Sequence, residues 1–328
     1  MYFVYGLFYH KKFVDLSDSL KVYATRLGKI QPGYEWLAFT FNTQKMHWTK
    51  EKFDAFLEFS ESQLKDAYSR MDMPALPWTK GTKNEVDFIL SQTGISPESK
   101  ILDLGCGQGR HCLELAKRNF NEIIGIDFAD QNVKRARESA KKENLNCTFI
   151  SGDARSFSAG KDFKYDCILC LYDVIGSFRN EADNKRILRN IKQHLAPSKH
   201  AVISVMNMEL TESLAKHKVS IKEHPEELLA LSPSETMKSS GDIFSPDLYL
   251  IDSDENVVYR KEQFSDDGNI LAEYVVADRR YTLKQITELV QSVGLKVREA
   301  RYVRAGKWDE PLEATNLKAK EIVLVLEN

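Results

Sequence analysis

The stretch ILDLGCGQGRH, residues 101–111, runs an apolar strand into glycines at 105, 107 and 109 and then directly into a helical pattern. Glycine at a strand-to-helix turn lets the backbone take positive φ and pass close to a ligand, and the helix N-terminus that follows adds partial positive charge. Two nucleotide motifs are excluded by spacing. A dinucleotide fingerprint G-x-G-x-x-G needs glycine at position 110, which is Arg110, and a phosphate loop needs Gly-Lys-Ser/Thr, which this segment lacks. The segment's distinguishing feature is the acid two positions before its first glycine, Asp103.

Outward from this turn, short apolar runs alternate with amphipathic stretches, the pattern of parallel strands joined by crossover helices. Strands are expected at 100–104, 122–126, 147–150, 165–171 and 200–206, with helices at 109–118, 131–143 and 182–195. The alternation stops after residue 206 and resumes with TLKQITELVQSVG from Thr282, whose apolar face ends at Gly294. Strands at 296–303 and 321–326 then close the chain. Between them, DLYLIDS, ENVVYRKEQF and ILAEYVVADRRYT, with the turn signal Ser265-Asp-Asp-Gly-Asn269, read as an antiparallel meander. Upstream, Phe53, Phe56, Leu57, Leu64 and Tyr68 recur at helical spacing, and MPALPW at 73–78 separates them from a helix at 84–92.

The expected fold is therefore α/β: a Rossmann-like, seven-stranded, mostly parallel sheet with an N-terminal helical cap and an antiparallel β insertion after the fifth strand. Residues 1–80 form the cap or lid, 81–207 and 281–328 the core, and 208–280 the insertion.

Composition narrows the class. The 328 residues are 42% hydrophobic and 29% charged with net charge −2, as in ordinary globular proteins. No apolar run is long enough to span a bilayer, and no secretory leader is evident, so a cytoplasmic location is expected. Five cysteines, all between 106 and 170, suit reduced thiols. Cys167 and Cys170 sit three apart on a strand and so point to opposite faces, which favours core roles over metal binding; no metal is expected. Residues 208–280 carry 8 Lys+Arg against 16 Asp+Glu, a net of −8, so no basic face for nucleic acid is present there. The first 80 residues hold 17 of the 34 Phe, Tyr and Trp. Such a segment either covers a site as a lid or makes a homodimer contact.

Asp103-Leu-Gly105-Cys106-Gly107-Gln-Gly109 resembles motif I of the class I S-adenosylmethionine-dependent methyltransferases, and the resemblance extends through 100–207 and 282–328, roughly half the chain. It implies S-adenosylmethionine as cofactor and S-adenosylhomocysteine as product, with Asp103 organising the amino end and Gly105, Cys106, Gly107 and Gly109 close to the methionine and ribose. Asp127, 24 residues after Asp103, stands where a carboxylate accepts from the ribose hydroxyls. By resemblance, Asp153 meets the adenine amino group, with Ala154 at the ring edge and Phe128 on its face. Leu171 ends the fourth strand beside the transferred methyl, and Trp78 and Lys80 lie near the cofactor. The Asn/Asp-Pro-Pro-Tyr/Phe signature of adenine and glutamine N-methyltransferases is missing after that strand, as is the Pro-Cys of cytosine-5 enzymes.

The resemblance implies in-line methyl transfer to an oxygen, nitrogen or carbon nucleophile of a small organic molecule. The other readings are a protein or RNA methyltransferase and a non-catalytic cofactor-binding partner subunit. Candidates for proton transfer or substrate orientation are Tyr172 and Asp173, which otherwise line the methyl pocket; Arg280 and Tyr281, with Arg279, could reach the substrate, the alternative being a surface arginine pair. His111 follows the loop but belongs to a helix that packs on the sheet.

Overall fold

The computed structural model describes residues 2–7, 36–41, 65–66, 68–70, 77–160, 163–215, 218–225, 227–234, 248–266 and 269–328. At its centre lies an eight-stranded sheet. Five strands are parallel: β3 Lys100–Leu104, β4 Glu122–Asp127, β5 Thr148–Ser151, β6 Tyr165–Cys170 and β7 Leu195–Met206. Antiparallel β15 Glu321–Glu327 pairs with β7 and with β13 Lys296–Arg304, and β14 Lys307–Leu312 adds an edge strand, giving the order β14-β13-β15-β7-β6-β3-β4-β5. The seven expected strands are present; the fifth begins at Leu195, five residues before its expected start, directly after the helix that ends at His194, and the others lie within one or two residues of their expected ends. The eighth, β14, is a polar edge strand that the expected set lacks, and at an edge the missing N–H of Pro311 is tolerated.

The crossovers are helices on both faces. On one face α1 Thr82–Thr93, α2 Arg110–Lys117 and α3 Asp130–Glu143 bury Val86, Phe88, Ile89, Cys112, Leu115, Val133 and Ala136. On the other, α4 Glu181–His194 and α7 Leu283–Gln291 bury Ile187, Leu188, Ile191, Ile286 and Val290. Cys167 packs with the first cluster and Cys170 with the second, as the strand spacing requires. Local signals set the helix ends. Asn180 accepts from the Ala182 amide to start α4, and Thr282 with Gln285 forms a capping box on α7. The chain passes from β3 outward through β4 and β5, then returns to β6 on the other side of β3. Ligands in open α/β sheets bind beyond the carboxyl ends of the strands at such a switch.

The insertion contains α5 Met208–Leu214, β8 Lys218–Val219, α6 Glu227–Ala230, β9 Pro233–Ser234, β10 Leu250–Asp252, β11 Val257–Asp266 and β12 Asn269–Arg279. Strands β10, β11 and β12 form the expected antiparallel meander, while β8 and β9 pair in parallel with β10 and β11, so the sheet is mixed. The tip of the expected turn, 267–268, lies outside the described residues.

In the N-terminal region the described elements depart from an all-helical cap. Strands β1 Tyr2–Leu7 and β2 Trp36–Phe41 pair antiparallel, in keeping with the aromatic and β-branched character of YFVYGL and WLAFTF. Residues 65–66 and 68–70 are helical, and a 3₁₀ turn spans Pro77–Gly81. Phe53, Phe56, Leu57, Leu64 and the linker residues 73–76 lie outside the described residues, as does most of the surface on which a homodimer contact was expected.

Candidate functional site

The glycine turn is held by this chain's own atoms. Gly105, Gly107 and Gly109 have φ of 76, 56 and 80°, the left-handed region. A Cβ on Gly105 would run into the Val174 side chain, and one on Gly109 would lie 2.6 Å from the Phe149 ring. At these two positions glycine is thus demanded by φ and by packing, in addition to any close approach of a ligand. Gly105→Ala should therefore cost roughly 2–4 kcal/mol, combining left-handed strain with overpacking. A urea midpoint within 0.5 kcal/mol of wild type, about the effect of an ordinary surface change, would refute this account.

Asp127, at the end of β4, fastens the turn. Its Oδ2 accepts from the Gly107 amide at 2.9 Å and its Oδ1 from the Ala129 amide at 2.9 Å. Burial pushes this carboxyl up and the two amides oppose the shift. The Asn132 side chain donates to the same carboxylate, which with about four acceptor sites still has room for a ligand hydroxyl. Asp103 is buried, accepts from the Cys112 thiol at 3.4 Å, and is likewise pushed up by burial. Cys106 is buried, and burial drives its thiol well above the usual range, which leaves it a small packing residue.

Asp153 is engaged by its neighbour. Arg155 Nε donates to Oδ1 at 3.1 Å and Nη2 to Oδ2 at 2.7 Å, and the Arg155 guanidinium sits 4.0 Å over the Phe178 ring. Burial raises this carboxyl, but Arg155 outweighs it and holds the group low. The Ala154 carbonyl accepts from Asn190 Nδ2 at 2.8 Å. Phe128 meets the Tyr68 ring edge-on with centroids 6.1 Å apart. Two further contacts bring the 65–70 segment onto α3: Lys65 to Asp130 at 3.4 Å and Arg135 to the Ser69 carbonyl at 3.2 Å. Lys80 is exposed in the 3₁₀ turn; Trp78 shares that turn, its side chain lying outside the described residues.

Beyond β6, Leu171 is buried, and Tyr172 and Asp173 have φ of 58 and 65°. Two successive non-glycine residues in the left-handed region are unusual and costly. The four catalytic candidates separate here. The Tyr172 hydroxyl donates to Glu85 Oε1 and so is already engaged. Tyr281 is a core residue beneath α4 and α7. Arg280 is buried, donates to Thr211 Oγ1 at 2.9 Å and lies 4.7 Å over the Tyr249 ring, so it is not half of a surface arginine pair. Asp173 is buried with no hydrogen-bond partner at Oδ1.

Sequence reasoning missed Glu85. This fully buried residue of α1 receives four donors: Tyr172 Oη, Gly306 N at 2.8 Å, Arg110 Nη1 and His111 Nε2 at 2.7 Å. A carboxylate only accepts, so the His111 Nε2 carries its proton. Burial raises Glu85, yet Arg110, His111 and Tyr172 outweigh it and bring it down to about 2. His111, Tyr172 and Trp308 pack ring to ring around this carboxylate, with centroids 6.2 to 6.4 Å apart. The signal for Glu85 was available: it shares the helical stripe of Phe88 and Ile89, three and four positions on. Among the described residues, no group of His, Cys, Asp or Glu is placed to hold a metal ion. Nor is any helix among them long and apolar enough to cross a membrane.

A strand order that reverses at β3, a left-handed glycine turn beyond it and an acid at the end of the next strand define a Rossmann-like nucleotide-cofactor site of the methyltransferase kind. The family described as "Methyltransferase domain" matches residues 95–275, more than half of the chain, and the protein belongs to that family. The ubiquinone biosynthesis O-methyltransferase of Rickettsia prowazekii (strain Madrid E) is 29% identical over 158 residues, 48% of this chain and 58% of that protein. The dTDP-4-amino-2,3,4,6-tetradeoxy-D-glucose N,N-dimethyltransferase of Saccharopolyspora spinosa is 32% identical over 114 residues, 35% of this chain and 43% of that one. The chain thus spans about half the length of the curated relatives it matches. Among solved structures, the CcbJ methyltransferase from Streptomyces caelestis superposes with a TM-score of 0.56 at 14% identity, covering 76% of this chain and 95% of its own. An S-adenosylmethionine-dependent methyltransferase from Clostridium acetobutylicum ATCC 824 gives 0.56 at 13% identity, covering 81% and 98%. These two share the fold.

Proposed function

We propose that the protein transfers the methyl group of S-adenosylmethionine to an oxygen or nitrogen of a small organic molecule. The observation that carries this reading is the glycine turn latched by Asp127: three left-handed glycines leave a cradle, and the carboxylate that holds it keeps lone pairs for ribose hydroxyls. Relatives that methylate oxygen and nitrogen support the same breadth of acceptor.

The residues present suit the cofactor. Asp127 holds the ribose, Phe128 covers the adenine face, and Ala154 and Asp153 border its edge, Asp153 being fixed there by Arg155. Asp103, Gly105, Cys106, Gly107 and Gly109 border the methionine portion. When bound, the cofactor supplies an electrophilic methyl group on a positively charged sulfur. The chain's part is alignment and exclusion of water, because charge is lost as the methyl moves and few groups need to act chemically. The 65–70 segment, anchored on α3 and against Phe128, serves as a lid over the adenosine end.

Calorimetric titration with S-adenosylhomocysteine tests this directly. Micromolar binding is expected, weakened about 10- to 100-fold in Asp127→Ala, which removes charged acceptors from the ribose and frees the Gly107 amide. Absence of binding to folded wild-type protein would overturn the proposed function.

A further inference from the structure

Asp173 stands apart from most carboxylates around the site. Asp103 has a thiol donor, Asp127 two amides, Asp153 an arginine and Glu85 four donors. Asp173 is 8% exposed and its carboxyl takes a backbone hydrogen bond from Met206, yet its Oδ1 has no hydrogen-bond partner. A buried acceptor left unsatisfied costs free energy and calls for an explanation. Glu321 Oε2 is also without a partner, but it lies two strands further along the sheet, at the start of β15.

The backbone around Asp173 is built to keep the carboxylate where it is. Left-handed Tyr172 and Asp173 are held by the Tyr172 amide on Ser204 Oγ at 2.7 Å and by Ser177 Oγ on the Asp173 carbonyl at 2.6 Å. Gly176, at φ 128°, has its amide on Asn184 Oδ1 at 2.9 Å, and a Cβ there would strike Asp173 Oδ1. The adjoining residue Val174 packs on Gly105. The carboxylate therefore sits one residue from the wall of the cofactor turn, at the β3/β6 switch crevice. Four charged or titratable groups face it, Arg260 from β11, Arg280 after β12, Glu321 from β15 and Tyr68 from the segment that also covers Phe128, while β7 supplies the Met206 backbone.

We propose that Asp173 Oδ1 faces the methyl group in transit and takes the proton released by the acceptor's hydroxyl or amine. This assignment rests on the cofactor reading above. The acceptor's lone pair forms the new bond to the methyl carbon, and the sulfur–carbon bond pair stays with sulfur, which becomes a neutral thioether. The acceptor's proton passes to Asp173, whose negative charge is neutralised as the sulfonium's positive charge disappears. The acceptor class that follows is a neutral molecule with a protic oxygen or nitrogen. Burial, opposed by Arg280 and Arg260 and assisted by Glu321, sets this carboxyl at about 7, a range suited to a general base.

A test that needs no acceptor compares two ligands differing by one methyl and one positive charge. Affinities for S-adenosylmethionine and S-adenosylhomocysteine are measured across the neutral range. In wild type the preference for S-adenosylmethionine should grow about tenfold as the carboxylate ionises, the size of a partly screened charge pair. Asp173→Asn, an amide of the same shape that tolerates left-handed φ, should still bind S-adenosylhomocysteine and show a flat preference. A wild-type preference that does not move with pH, or that moves equally in Asp173→Asn, overturns the assignment while leaving the cofactor reading intact. Failure of both ligands to bind wild type overturns the cofactor reading and this assignment with it.

Discussion

Glu85→Ala should lower the stability of the folded protein by about 3–5 kcal/mol, the range for breaking a buried ion pair from one side. The change leaves the largely buried Arg110 guanidinium, its side chain 20% exposed, with only Thr82 Oγ1, at 2.8 Å, among its former partners on α1. It also strands the Tyr172 hydroxyl and the Gly306 amide. Replacing both charges by apolar groups, Glu85→Leu with Arg110→Met, should cost much less than the sum of the two single changes, because no unpaired charge remains. Urea midpoints of Glu85→Ala, of the two single changes and of their combination decide it. An additive pair, or a Glu85→Ala loss below 1 kcal/mol, would mean that the carboxylate does not tie these segments together. The expected consequence reaches the site, since Glu85 joins α1, the start of α2, the residue before Asp173 and the β13–β14 turn.

The contrast between Asp103 and Glu85 shows what was legible in the sequence. Asp103, the glycines and Asp127 lie within 25 consecutive residues, and their spacing alone placed them on one turn and two strand ends. The parallel strands were legible too, because a strand buried on both faces reads as a nearly continuous apolar run, as in Cys167 to Cys170. The burial of Glu85 was legible from the Phe88–Ile89 stripe but its role was not, because its four donors come from positions 110, 111, 172 and 306, and no local pattern registers a partner so distant in the chain. Left-handed backbone at Tyr172 and Asp173 was hidden for another reason. Neither residue is glycine, so the conformation is imposed by tertiary contacts such as Ser204 and carries no composition signal. Edge strand β14 and the β1–β2 ribbon failed on weaker grounds: the first is polar and the second consists of two short runs 28 residues apart, either of which fits more than one structure.

Glu321 leads to the second large effect, on stability as a function of pH. Its carboxyl is buried at the carboxyl edge of the sheet, with Oε2 unpartnered and Glu85 close enough to repel it. Burial and then Glu85 push it up from the ordinary 4.5 to about 8, while Ser204 and Arg110 pull the other way. Asp173 is raised in the same sense, to about 7, chiefly by burial, with Glu321 adding to the shift. In the unfolded chain both ionise near pH 4. Between there and neutrality the native state holds protons that the unfolded state has lost, so the stabilisation is full in acid and falls as pH rises through 7 and 8. At about 1.4 kcal/mol per pH unit per proton, the loss for Glu321 alone is on the order of 4 kcal/mol. Glu85, lowered to about 2, has the opposite sign, and its contribution disappears only below pH 4.5. Stability should therefore peak near pH 5 and decline toward pH 8, and Glu321→Gln, neutral at every pH, should remove much of that decline. Urea unfolding of the two proteins at pH 5 and pH 8 tests it: a wild-type curve that rises with pH, or a Glu321→Gln curve parallel to it, would show that Glu321 is ionised in the folded protein.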